Sequence, residues 1–224
     1  AVGGDVQMAI EELRKSSGMK AAKKAGRTAA DGVVATRVAD DCSFGVLVEV
    51  NSETDFVARD ENFLSFVNQV VDVAFTGRQS DVAALMSGDL ESTREALVQK
   101  IGENISVRRI ELIHSDSGVV GSYVHSNNRI AVLVELKGGD QDLARDVAMH
   151  VAAMKPVALS AADVPAELIE KERSVASLKA AEDAEKARAE GKPPQSAEIV
   201  TRRVEGSVQK YLKEVSLYNQ AFVK

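Results

Sequence analysis

The spacing of apolar residues changes period along the chain. Over Asp5–Lys15 (DVQMAIEELRK), Val6, Ala9, Ile10 and Leu13 recur every three or four residues, which is one face of a helix. Gly18 is the expected stop. One helix of this length cannot bury its own stripe. It is therefore expected to dock on the rest of the chain or to be the remnant of a small helical domain. Beyond it the pattern turns to runs of β-branched residues. Strands are predicted at Val33–Val38, Gly45–Val50, Val119–Val124 and Ile130–Leu136. The first two are joined by ADDCS and the second two by HSNNR, so each pair predicts an antiparallel hairpin. Helical spacing follows each hairpin, through Phe63, Val67, Val70, Val71 and Ala74 in the first case and Leu143, Val147, Val151 and Met154 in the second. A helix over about Leu90–Ile101 and a strand over about Ile105–Ile113 complete a ββααβ order in the first unit.

The two hairpins belong to an internal repeat. GVV at Gly32–Val34 recurs at Gly118–Val120, VLVE at Val46–Glu49 recurs at Val132–Glu135, and ARD at Ala58–Asp60 recurs at Ala144–Asp146. All three matches share one offset of 86 residues without a gap. A constant register across three short matches argues for two related structural units.

After Pro156 the sequence becomes strongly helical. A long, charged, Ala-rich helix is expected up to GKPPQS at Gly191–Ser196, where glycine and two prolines end it. A second helix carries Ile199, Val200, Val204, Val208, Tyr211 and Val215 on one narrow seam. Two such helices around a tight break predict an antiparallel hairpin. The expected fold class is α+β: two related subdomains of small antiparallel sheets with helices, plus a projecting antiparallel helical hairpin of coiled-coil type. The boundaries follow as 1–29 for a last N-terminal helix and linker, 30–117 and 118–159 for the two core subdomains, 160–217 for the hairpin, and 218–224 for a return into the second subdomain. The second subdomain lacks counterparts of the last helix and strand of the first, so the chain is expected to be shortened at both ends.

Composition narrows the function. The 224 residues carry 28 Lys and Arg against 34 Asp and Glu, a net charge of −6, which disfavours a general nucleic-acid binder. The basic run Lys20–Lys24 (KAAKK) is local and is read as a solvated helix face or linker. Aromatics make up 4% and Trp is absent, so Val, Ala, Leu and Ile must build the core. The lone Cys42 excludes an intrachain disulfide and suits a reducing compartment. No apolar run approaches the ~20 residues of a membrane span, and the opening AVGGD lacks a signal pattern. A cytoplasmic protein of bacterial type, or an organellar one whose targeting segment has been removed, is expected, without direct nucleic-acid or membrane contact. His114, His125 and His150 form no HExxH or Cys/His metal spacing, and His150, among apolar helix neighbours, is expected to be packed. Phosphate loop, dinucleotide fingerprint and nucleophile elbow are all missing. The expectation is a binding protein with no catalytic residue, cofactor or metal of its own.

One stretch then stands out: NSETDFVARDENF at Asn51–Phe63. Thr54 and Asp55 suit an N-cap and a first-turn acid. Phe56 sits where strand turns into helix, although the second unit makes the equivalent turn with Asp140-Gln141-Asp142. Two readings remain open from the residues alone. Phe56 extends the buried stripe or staples the turn, or it is an exposed apolar wedge for a partner.

These residues carry a resemblance. NSETDFVARDENF resembles the signature of the elongation factor Ts family, the guanine-nucleotide exchange factors of elongation factor Tu. KAAKKAGRTAADG, KIGENISVRRI, GSYVH, AMHVAA and EVSLYNQAFV resemble the same family in the same order, so the likeness covers essentially the whole chain. It implies binding to elongation factor Tu, GDP-bound and nucleotide-free, and GDP release through disturbance of the Mg²⁺ and phosphate region. It also implies that Thr54, Asp55, Phe56 and Val57 form the element that enters the partner, with His125, Phe222 and Val223 as further contacts. A rival reading makes the helical hairpin a self-association arm; another joins Asp55 and His125 in an enzyme site.

Overall fold

The computed structural model describes residues 5–224; residues 1–4, most of the opening AVGGD, lie outside them. The chain divides into two compact units, one up to Ala152 and one from Ala153 to Lys224.

The first unit begins with helix α1 (Val6–Lys24), followed by strands β1 (Asp31–Val38) and β2 (Phe44–Ser52). Helices α2 (Glu61–Gly77), α3 (Val82–Met86) and α4 (Asp89–Ile101) lead to β3 (Ser106–His114). Strands β4 (Val119–Val124) and β5 (Ala131–Leu136) and helix α5 (Gln141–Met154) follow. β1, β2 and β3 form one antiparallel sheet with β2 in the centre, and β4 and β5 form a second. The fold class is α+β, as the changes of period predict. In β2 every second residue, Val46, Val48 and Val50, is fully buried. These valines share a core with Phe63, Phe66, Val67, Val70 and Ala74 of α2. The alternation of a strand and the 3.6-residue period of a helix thus meet at one interface. The β4–β5 hairpin packs on β1 and β2, with Leu133 and Val120 against Gly45.

The repeat is visible atom by atom. Val33 pairs with Val50, and 86 residues on, Val119 pairs with Leu136. The Ala39 amide donates to the Phe44 carbonyl at 2.9 Å; the His125 amide donates to the Ile130 carbonyl at the same distance. Cys42 and Asn128 take matching left-handed conformations, with φ of 56° and 54°. Gly32 and Gly118 show why the GVV motif recurs. A Cβ on Gly32 would lie 2.1 Å from the Val50 carbonyl oxygen, and one on Gly118 would lie 2.2 Å from that of Leu136.

Four expectations are corrected. α1 does not stop at Gly18 but runs to Lys24, taking in the KAAKK run. It packs on α4, where a Cβ at Gly18 would come within 3.1 Å of the Glu95 carboxylate, the end of a flexible side chain. Ser17 and Ala21 are its buried residues, whereas Val6, Ile10 and Leu13 are exposed. In α5, Leu143 and Met154 are exposed, and Ala144, Ala148, His150 and Ala152 are buried. The cause is Gly121 on β4, which lets Ala144 come so close that a Cβ at 121 would stand 2.4 Å from the alanine methyl. Finally, Thr54 does not cap α2; the Asp60 carboxylate does, accepting from the amides of Asn62 and Phe63.

The second unit is a helical pair, α6 (Ala166–Ala189) and α7 (Ala197–Val215). Ala176, Ala180 and Val204 form its small core, with Val200 against them. Arg173 pairs with Glu205 and Arg203 with Asp183 across the antiparallel pair. The Arg203 hydrogen bond holds the Asp183 carboxyl below its usual pKa. At the open end of the pair Ala158 bridges Ser216, and the Tyr218 amide donates to the Leu159 carbonyl at 3.0 Å. Gly206 lies inside α7 with nothing within 4 Å of an added Cβ. Gly206→Ala is expected to raise stability by about 0.5–1 kcal/mol, because alanine gives up less backbone freedom on entering a helix. Thermal unfolding checks this; an unchanged or lower Tm would contradict it.

Candidate partner-binding site

β2 ends at Ser52, and the chain turns through Glu53, Thr54, Asp55 and Phe56 into a 3-10 turn, Val57–Arg59, before α2 starts at Glu61. Val57 and Ala58 point inward and join the core of α2 and β2. Phe56, one residue earlier, is 81% exposed. Of the two sequence readings the structure selects the projecting aromatic. A phenyl ring left in water forgoes the roughly 1.5–3 kcal/mol that burying it would give, and the repeat's other copy makes the equivalent turn with Asp140-Gln141-Asp142, without an aromatic.

The turn beneath the ring is braced from both sides. The Glu103 carboxylate accepts the Thr54 amide at 3.0 Å and the Thr54 hydroxyl at 2.8 Å. In return, the Glu53 carboxylate accepts the Asn104 amide at 2.6 Å. The Ser52 hydroxyl donates to the Thr54 carbonyl at 2.9 Å. Asn104, itself buried, donates through its side chain to the Arg27 carbonyl at 2.8 Å, which ties the turn to the segment after α1. Asp55 pairs with Arg59 at 3.1 Å across one helical turn. At the start of α2, the side-chain amide of Asn62 and the backbone amide of Phe63 stabilise the ionised Asp60 and lower its pKa. By linkage, the stability from this cap is present above the ordinary carboxylate range and is lost as pH falls through the lowered value.

Glu53, Glu103 and Asn104 are the residues that sequence reasoning missed. They stand inside two of the quoted motifs, NSETDFVARDENF and KIGENISVRRI. Nothing in the spacing of those motifs indicates that they interlock.

His125 lies in the β4–β5 turn, exposed, with its Nδ1 3.1 Å from the Tyr123 hydroxyl. The turn sits at the same end of the unit as Phe56. Its Asn128 carbonyl accepts the Val34 amide, and Arg129 pairs with Asp31, which in turn is paired across the sheet with Ser52. Phe222 and Val223 belong to the second unit and are partly exposed. Thr54 and Asp55 are half-buried, so Phe56 is the most exposed member of its tetrapeptide. Among the described residues no group of three or more His, Cys, Asp or Glu side chains is placed to hold a metal ion, and no helix is long and apolar enough to cross a membrane.

The comparisons with known proteins agree in one direction. Residues 53–224 match the family model described as elongation factor TS. The chain is 61% identical over 221 residues to the elongation factor Ts of Saccharophagus degradans, an alignment covering 99% of this chain and 73% of that relative. It is also 61% identical to the elongation factor Ts of Cellvibrio japonicus, with 99% and 72% covered, and 60% identical to that of Hahella chejuensis, with 99% and 73% covered. With a family match over most of the chain and identities of this size, the protein belongs to the elongation factor Ts family.

Proposed function

We propose that this chain binds elongation factor Tu carrying GDP and promotes GDP release, so that GTP can be reloaded during protein synthesis. The observation that carries the reading is the exposed Phe56 on a braced turn. A buried aromatic anchor is the residue type that most often dominates an interface, and this one is held out before the partner arrives. Thr54, Asp55, Phe56 and Val57 form the inserting element, in which Phe56 enters the partner, Val57 and Thr54 hold it from beneath, and Asp55 helps fix its placement. Entry of the ring displaces elements of the partner that hold Mg²⁺ and phosphate. His125 adds a contact at the same end of the first unit, and Phe222 and Val223 make a separate one from the second.

The mechanism needs no bond chemistry from this chain. A factor that binds the nucleotide-free partner better than the GDP-loaded one weakens GDP binding by the same ratio. GTP hydrolysis belongs to the partner, and the setting is the cytoplasm. The chain is further divided, in this reading, into core subdomains at 30–117 and 118–159 and a coiled-coil hairpin at 160–217. Stopped-flow release of a fluorescent GDP analogue from elongation factor Tu tests the activity. Release is expected to accelerate and to saturate with the chain's concentration; a rate indifferent to the folded chain would overturn the proposal.

A further inference from the structure

The brace under Phe56 has a feature that packing alone does not require. Two acidic residues, Glu53 and Glu103, come from segments about 50 positions apart, and each accepts a backbone amide from the other's segment: Asn104 donates to Glu53, and Thr54 donates to Glu103. The exchange is reciprocal. It closes the end of β2 onto the loop between α4 and β3, two residues before the exposed ring. Both carboxylates are partly buried, and neither is tied up in a tight ion pair. Among the described residues Glu53 has only Arg27, at 3.6 Å, and Glu103 forms no ion pair. Their acceptor capacity is therefore directed at backbone amides, and each such bond fixes a main-chain group of the other segment.

We infer that Glu103, with Glu53, is a positioning residue for exchange: the reciprocal carboxylate clamp holds the Thr54–Phe56 backbone so that the ring meets the partner in one orientation. The inference rests on the exchange function proposed above. In this role Glu103 makes no contact of its own with the nucleotide. It acts through Thr54 on Phe56. An unclamped turn still carries the ring, but only a fraction of encounters presents it correctly. The loss then falls on the limiting rate of GDP release more than on the concentration needed for half-saturation. Small misplacements of a functional group can cost up to ~100-fold.

The chemistry of Glu103 supplies a discriminating substitution. In Glu103→Gln the amide oxygen can still accept the Thr54 N–H, and the amide NH₂ can donate to the Thr54 hydroxyl, so both contacts survive without charge. In Glu103→Ala both are lost. The experiment is stopped-flow GDP release from elongation factor Tu across a concentration series of the full chain, for wild type, Glu103→Ala, Glu103→Gln, Phe56→Ala and the double variant Glu103→Ala/Phe56→Ala, each checked by thermal unfolding.

Glu103→Ala is expected to lower the limiting rate by about 10-fold or more. Glu103→Gln should stay within about twofold of wild type, by the same geometric argument. In the Phe56→Ala background the Glu103 change should add nothing, because a clamp that acts through the ring has no further effect once the ring is gone. An undiminished limiting rate in a folded Glu103→Ala, a loss confined to half-saturation, or an additive double variant would each overturn the inference. If Glu103→Ala does not fold, Thr54→Val, which removes only the hydroxyl donor, takes its place with a smaller loss of the same kind expected and the same result overturning it. If Phe56→Ala itself releases GDP as fast as wild type, the wedge reading fails, and the clamp inference fails with it.

Discussion

Phe56→Ala is expected to fold like the wild type and to lose most of its ability to accelerate GDP release. The ring is 81% exposed, so its removal opens no cavity and should leave Tm within a degree or two. The cost falls on the complex. Truncating a buried aromatic anchor typically removes about 2–4 kcal/mol, which corresponds to a fall of roughly 30- to 900-fold in affinity for the state that accommodates the ring. Val57→Ala should behave in the opposite way. Val57 is buried against α2 and β2, so this change should lower stability first and affect exchange only through the turn. A Phe56→Ala protein that is destabilised but fully active would place the ring in the core in solution and remove the basis of the proposed mechanism.

The largest effect on folding is expected at Gly32. Its φ is +124°, a conformation that side chains rarely adopt, and a Cβ there would stand 2.1 Å from the Val50 carbonyl oxygen and 2.7 Å from the Cα of Asn51. Both are backbone atoms of the paired strand, so no rotamer change relieves the clash. Gly32→Ala must separate β1 from β2 where the sheet leads into the Phe56 turn. Overpacking and backbone strain each cost about 1–3 kcal/mol, giving roughly 2–6 kcal/mol in all. At about 2–4 °C per kcal/mol for a chain of this size, Tm should fall by several degrees at the least. Gly26→Ala is the control, since nothing lies within 4 Å of its added Cβ. Equal Tm values for the two variants would contradict this account of the GVV motif.

How legible the fold was depends on how local its causes are. The β1–β2 and β4–β5 hairpins were readable because alternation, turn and partner all lie within about twenty residues. The 86-residue repeat was readable because it preserved close-contact positions such as Gly32 and Gly118. The buried face of α5 was not readable. Ranking residues by hydrophobicity favours Leu143 and Met154, but the deciding fact is a glycine on another strand that admits only a methyl. Gly18 misled for a similar reason. Glycine ends many helices, yet α1 runs on through this one, with Ser17 bonded to Gln99 of α4 and Ala21 buried, and that partner is distant in the sequence.

The site divides along the same line. Sequence drew attention to Phe56 as an aromatic at a junction that did not need one, but left its exposure open. The clamp made by Glu53, Glu103 and Asn104 was invisible because it joins segments about fifty residues apart through backbone amides, which have no signature in sequence.

The central claim is that this chain distinguishes two states of its partner, and a direct test is a pair of equilibrium titrations against elongation factor Tu, one nucleotide-free and one saturated with GDP. The account predicts tighter binding to the nucleotide-free form, with the difference shrinking in Phe56→Ala because the ring has its place only in that form. Equal affinity of the wild-type chain for both forms would contradict the account, since a factor that binds both states alike cannot shift GDP between them.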